Sequence, residues 1–130
     1  MIFSLAIYSA PFSYEGTHTA YRFAQAAIAE GHKIHRVFFY HDGVYNASQL
    51  HCPPQDEIDI SELWAKFAKV SDIELVVCVA SALKRGLLNE QEAERYEKKQ
   101  FNLADEYQLG GLGQLIEAMT TSDRFITFKS

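Results

Sequence analysis

Ile73-Glu74-Leu75-Val76-Val77-Cys78-Val79-Ala80 is apolar at every position but Glu74 and is rich in valine. A short run that is continuous rather than alternating predicts a strand covered on both faces. Residues 2–9, Ile34–Tyr40 (with Val37, Phe38 and Phe39) and Arg124–Phe128 have the same character. Helical patterns separate these runs. Ala20, Ala24, Ala27 and Ile28 recur at helical spacing, and Gly31 then supplies a left-handed stop. Ile60, Leu63, Trp64 and Phe67 predict a second helix, with Ser61 as its N-cap. Asn89 and Glu92 resemble a capping box, which opens a highly charged surface helix through Gln91–Gln100. A last helix over Gly113–Thr120 follows the glycine turn Gly110-Gly111-Leu112-Gly113. This order predicts an α/β fold, a mostly parallel sheet with helices on both faces. The loop Asn46–Pro54 is the least regular segment and is expected to be mobile.

The 130 residues suit a single domain, residues 1–130. An apolar content of 48% allows a core without staples. The net charge of −5 argues against direct contact with a nucleic acid, which requires a basic surface. No apolar run has the length of about 18–20 residues needed to cross a bilayer, so no membrane association is expected. The opening Met1–Tyr8 is apolar without a preceding basic segment and reads as a strand rather than a secretory signal. Two cysteines without a close pairing fit a reducing, cytoplasmic setting.

Cys78 is the residue with chemistry to offer. It lies near the C-terminal end of its strand, the edge where open α/β sheets place ligands and reactive groups. Ala80-Ser81-Ala82-Leu83 follow at once and predict a short helical turn whose free amides face the thiol, with Lys84 and Arg85 next. Two readings stand at this point. Cys78 is a reactive thiol, or it is a small packed hydrophobe, the ordinary state of a cysteine in a valine-rich strand. Cys52, between His51 and Pro53, reads as an incidental loop thiol, against the alternative of a reactive or metal-binding His-Cys pair. His32 and His35 lack the neighbouring ligands of a metal site and read as ordinary polar positions. His18, at the mouth of the first helix, is placed at the same sheet edge as Cys78, where it orients a partner or simply opens the helix. Gly110–Gly113 lacks the Lys-Ser/Thr of a phosphate loop and follows no clear strand; no nucleophile elbow occurs anywhere. Phe38-Phe39-Tyr40-His41-Asp42-Gly43-Val44-Tyr45-Asn46-Ala47 leaves a buried strand and turns at Asp42-Gly43. Tyr40, Val44 and Tyr45 are expected to form an exposed wall beside Cys78 that another subunit covers.

Taken together, several stretches resemble the DsrE-like family, and within it the sulfurtransferase subunits of the tRNA 2-thiouridine relay. They are Tyr21-Arg22-Phe23-Ala24-Gln25-Ala26, Val37–Tyr40 with Asp42–Ala47, Cys78-Val79-Ala80-Ser81-Ala82-Leu83-Lys84-Arg85-Gly86, Leu109–Gly113 and Ser122-Asp123-Arg124-Phe125. The likeness runs over essentially the full length in one register. It implies a five-stranded sheet between helices and an active cysteine at Cys78. It also implies a cytoplasmic assembly with TusB-like and TusC-like paralogous subunits, a heterohexamer built as a dimer of heterotrimers. Sulfur would come from a TusA-like donor and leave to a TusE-like acceptor on its way to the tRNA wobble uridine, with no cofactor and no metal. A DsrE-type subunit of a sulfur-oxidation complex shares the same cysteine. A non-catalytic scaffold subunit and a nucleotide- or flavin-binding module on the same kind of fold are the other classes to weigh.

Overall fold

A computed structural model describes residues 1–130. The strands are β1 (Ile2–Ile7), β2 (Lys33–Phe39), β3 (Glu74–Cys78), β4 (Tyr107–Gly110) and β5 (Arg124–Phe128). They form one sheet in the order β4-β3-β2-β1-β5, every pair parallel. The helices are α1 (Gly16–Ala29), α2 (Ile60–Ser71), α3 (Val79–Lys84), α4 (Glu90–Arg95) and α5 (Leu112–Thr121), and a 3-10 segment covers His41–Ala47.

Strand alternation decides which face each residue serves. Leu5, Ile7, Val37, Phe39, Leu75, Val77 and Tyr107 point into the main core, where α1 brings Ala20, Ala24 and Ala27 and α2 brings Ile60, Trp64, Ala65 and Ala68. The small residues of α1 let that helix lie close on the sheet. Trp64 is fully buried, and its indole N–H donates to the Thr17 carbonyl at 3.2 Å. Phe38, Val76 and Cys78 face the other way and form a smaller cluster, against which Tyr40 and Leu115 of α5 pack.

Four local readings need correction. The N-cap of α2 is Asp59, whose carboxylate accepts from the Glu62 amide at 3.2 Å. The helix starts at Ile60 because that side chain is buried in the core, which leaves Ser61 inside the first turn. Asn89 does cap its helix, but α4 stops at Arg95 and Glu97 is left-handed, so the charged run to Gln100 is not one helix. Gly110 does follow a strand, since it is the last residue of β4. The loop expected to be mobile is pinned at its start: Asn46 and Ala47 are buried, and the Ala47 carbonyl accepts from Ala104 N at 2.8 Å. Gly31 has the left-handed φ of 88° its sequence position predicted.

On the second face, α5 is held by ions. Arg36, a buried residue of β2, donates to Glu74, to the Gln114 carbonyl and to Glu117, and His35 also meets Glu117, at 2.9 Å. The His35 hydrogen bond, helped by Thr121 and by the charges of His35 and Arg36, holds the Glu117 carboxyl below its ordinary value of 4.5. A depressed carboxyl stabilises the fold above its unfolded value, and that contribution disappears as pH falls through the folded value. Glu117→Gln should therefore lower the urea midpoint at pH 6, with the difference from wild type closing progressively below about pH 4.5. A difference that persists unchanged at pH 3 would show that the carboxylate charge is not what holds α5.

Candidate functional site

Cys78 is the last residue of β3 and the N-cap of α3. Its strand neighbour is Gly110, so the thiol lies at the C-terminal edge between β2 and β4. Space above Gly110 is already occupied: a Cβ there would meet Gln114 Oε1 of α5 at 1.8 Å and Val76 Cγ1 at 2.7 Å. This close approach is what the glycine permits. The first turn of α5 thus lies directly on the ends of β3 and β4.

The segment after β2 forms the other wall. His41 adopts a φ of 50°, in the left-handed region that favours glycine, as the chain swings out of the sheet. Its amide donates to Ser81 Oγ of α3 at 3.3 Å. Arg85 Nε donates to Asp42 at 2.9 Å, and the same guanidinium reaches the Ser81 carbonyl. Arg85 is therefore committed to tying α3 to the 3-10 segment, and Lys84 is exposed. Tyr40 packs against the Cys78 cluster and stacks edge-on with His41, ring centres 4.3 Å apart, with Tyr8 at 5.3 Å from each. Lys129 lies 5.9 Å over the Tyr8 ring.

The expected wall of Tyr40, Val44 and Tyr45 is only partly present. Val44 is fully buried in the main core, because the 3-10 turn points it inward; Tyr40 is half-buried and Tyr45 is exposed. Nor is Asp42-Gly43 a free turn. A Cβ on Gly43 would stand 2.0 Å from the Ile7 carbonyl oxygen. Asn46 anchors the whole segment from a fully buried position. Its amide donates to the carbonyls of Gly43 (2.9 Å) and Ser9 (3.3 Å) and to Thr17 Oγ1 (3.2 Å).

Both cysteines are free thiols, Cys52 exposed and Cys78 buried at 4% exposure. Cys52 Sγ turns back toward the Leu50 carbonyl, 3.5 Å away. His32 meets the N-terminal amine of Met1 at 2.9 Å, while His35 joins the α5 clamp, so the two do not converge. His18 opens α1, the helix that begins beyond the C-terminal end of β1; its Nδ1 is buried without a partner. A thiol this covered needs its roof to move before another protein's sulfur reaches it. Tyr40→Ala should raise the rate at which a thiol reagent modifies Cys78 severalfold, measured in a Cys52→Ser background. An unchanged rate would mean that Tyr40 is not the cover.

The profile of the DsrE/DsrF-like family matches residues 1–128. The chain belongs to that family. It is 44% identical over 128 residues to the protein DsrE of Allochromatium vinosum, with 98% of each chain aligned. It is 42% identical over 128 residues to the sulfurtransferase TusD homolog of Aliivibrio fischeri, again with 98% of each. Transferase is accordingly the enzyme class in which the chain falls. The crystal structure of the YchN protein of E. coli superposes with a TM-score of 0.75 over 98% of this chain and 97% of that one, at 19% identity. That likeness bears on the fold alone, and it agrees with the five-stranded parallel sheet. No helix is long and apolar enough to cross a membrane.

Proposed function

We propose that this DsrE/DsrF-like chain carries sulfur as a persulfide on Cys78, within a cytoplasmic relay. The observation that carries the reading is the placement of Cys78. It is a free cysteine where β3 becomes α3, at the reactive edge of the sheet, in a chain whose relatives include proteins named sulfurtransferases. The Cys78 thiol loses its proton, and the thiolate attacks the outer sulfur of a donor persulfide. A bond forms between Cys78 Sγ and that sulfur, the donor's S–S bond breaks, and the donor cysteine leaves as a thiolate. An acceptor thiolate then takes the same outer sulfur from Cys78, whose thiolate is the leaving group. Each step exchanges one S–S bond for another, so no net oxidant, metal or cofactor enters. Burial of Cys78 between exchanges shields the persulfide from stray thiols and oxidants.

In this reading the donor is TusA-like, the acceptor TusE-like, and the sulfur ends on the wobble uridine of tRNA without this acidic chain touching the nucleic acid. The likeness to the TusD homologs supports that pathway; the equally strong likeness to DsrE supports sulfur oxidation as the second one. Paralogous TusB-like and TusC-like subunits would complete a dimer of heterotrimers. An apolar stripe on α5 supports such a partner: Leu112, Ile116 and Met119 share one helix face and are 51%, 60% and 51% exposed. The test is intact mass after incubation with a persulfide-loaded TusA-type protein. A mass gain of one sulfur, removed by reductant and mapped to the Cys78 peptide, is the expected result. No gain, or a gain on Cys52 alone, would reject it.

A further inference from the structure

A groove of about 510 Å³ lies where three stretches meet: the segment after the 3-10 turn, the exit of α3 and the chain that follows α4. Leu50, Leu88 and Phe101 supply its apolar surface, and Leu50 is 65% and Phe101 43% exposed. Large apolar side chains grouped in solvent mark a surface that something covers. The walls are already in place. The Asn102 side chain accepts from Leu88 N at 2.9 Å and donates to the Gly86 carbonyl at 3.0 Å. Asn102 N donates to the Leu88 carbonyl at 3.0 Å, and Gln49 N donates to the Asn102 carbonyl at 2.8 Å. Gly86 takes a left-handed φ of 79° as the chain leaves α3.

The charge on the groove is of one sign. Lys98 and Lys99 line it and no carboxylate does; Glu97 adjoins them in sequence but is not part of the lining. Neither lysine is in an ion pair. On a chain with a net charge of −5, two unopposed neighbouring cations stand out from the rest of the surface. The backbone amides of residues 99, 100 and 101 also donate to no carbonyl of the protein. Apolar side chains with a rim of unused donors are complementary to an apolar side chain flanked by carboxylates.

We propose that this groove docks an extended acidic segment of another protein. An apolar side chain of the segment sits among Leu50, Leu88 and Phe101, and its neighbouring carboxylates meet Lys98 and Lys99. The volume admits one or two side chains, which suits an extended segment; an amphipathic helix would present three or four anchors over two turns. Cys78 takes no part in this contact, so the proposal stands apart from the sulfur reading.

The experiment selects phage-displayed random dodecapeptides on the full-length protein. Enrichment of sequences with Asp or Glu beside a large apolar residue is the expected result. The best of them, synthesised with blocked ends, should give saturable amide NMR shifts at Leu50, Leu88 and residues 98–102. Lys98→Gln combined with Lys99→Gln should weaken its binding about tenfold and flatten the salt dependence, as the loss of two exposed ion pairs requires. The urea midpoint should stay at the wild-type value, because neither lysine is paired in the free protein. Leu50→Ser should weaken binding as well. No enrichment, enriched peptides without acidic residues, or binding that survives both changes would overturn the proposal. So would phenylacetate binding as tightly as the peptide, which would make the groove a small-molecule site. A dimer in sedimentation that Leu50→Ser dissolves would also overturn it, since a second copy would then fill the groove.

Discussion

Cys78→Ser should abolish sulfur acceptance and leave the fold in place. Serine differs from cysteine by one atom, and its hydroxyl is a far weaker nucleophile that forms no persulfide. The site is small and buried, so the hydroxyl loses some favourable packing against Phe38 and Val76. It lies at the N-terminus of α3, however, where serine is a favoured cap. The expected cost to stability is therefore about 1 kcal/mol or less. Transfer of labelled sulfur from a loaded donor should fall to background, whereas Cys52→Ser should transfer at the wild-type rate. Label remaining on the Cys78→Ser chain would move the chemistry elsewhere. Loss of transfer together with loss of the folded circular dichroism spectrum would be uninformative for this residue alone, so Cys78→Ala serves as the second variant.

Gly43→Ala should be the most damaging single methyl in the molecule. The added Cβ would stand 2.0 Å from the Ile7 carbonyl oxygen and 2.9 Å from its carbon, both backbone atoms of β1. Neither rotates away. The 3-10 segment would have to lift off the sheet, straining the three hydrogen bonds that the Asn46 amide makes beneath it. Overpacking of this kind costs about 1–3 kcal/mol, and a clash with fixed main chain belongs at the top of that range. The same movement would pull Tyr40 and His41 from the Cys78 edge. Urea unfolding should show a midpoint well below wild type, and Cys78 should react faster with a thiol reagent while the protein is still folded. A wild-type midpoint would mean that the 3-10 segment adjusts freely, and the reading of Gly43 as a fixed contact would fail.

The sequence by itself determined the parallel α/β class, four of the strands and the place of Cys78 near the end of one of them. Continuous apolar runs such as Leu75–Cys78 are buried on both sides whatever covers them, and Gly31 must stop a helix because of its own backbone freedom. The fifth strand was legible only through the family resemblance. Tyr107–Gly110 is four residues long and paired on one side only, so local pattern gives it no weight. Only the tertiary structure decided what surrounds the thiol. Val44 reads as an exposed wall residue and is core; Arg85 follows the thiol closely in sequence, and its guanidinium is bound to Asp42. Of the residues packed around Cys78, Phe38 and Tyr40 come from β2 and its exit and Leu115 from α5, segments brought together by the fold rather than by chain proximity. A side chain's partners are set by which elements pack against it, and packing is a property of the whole chain. Its local pattern fixes only whether it wants to be buried.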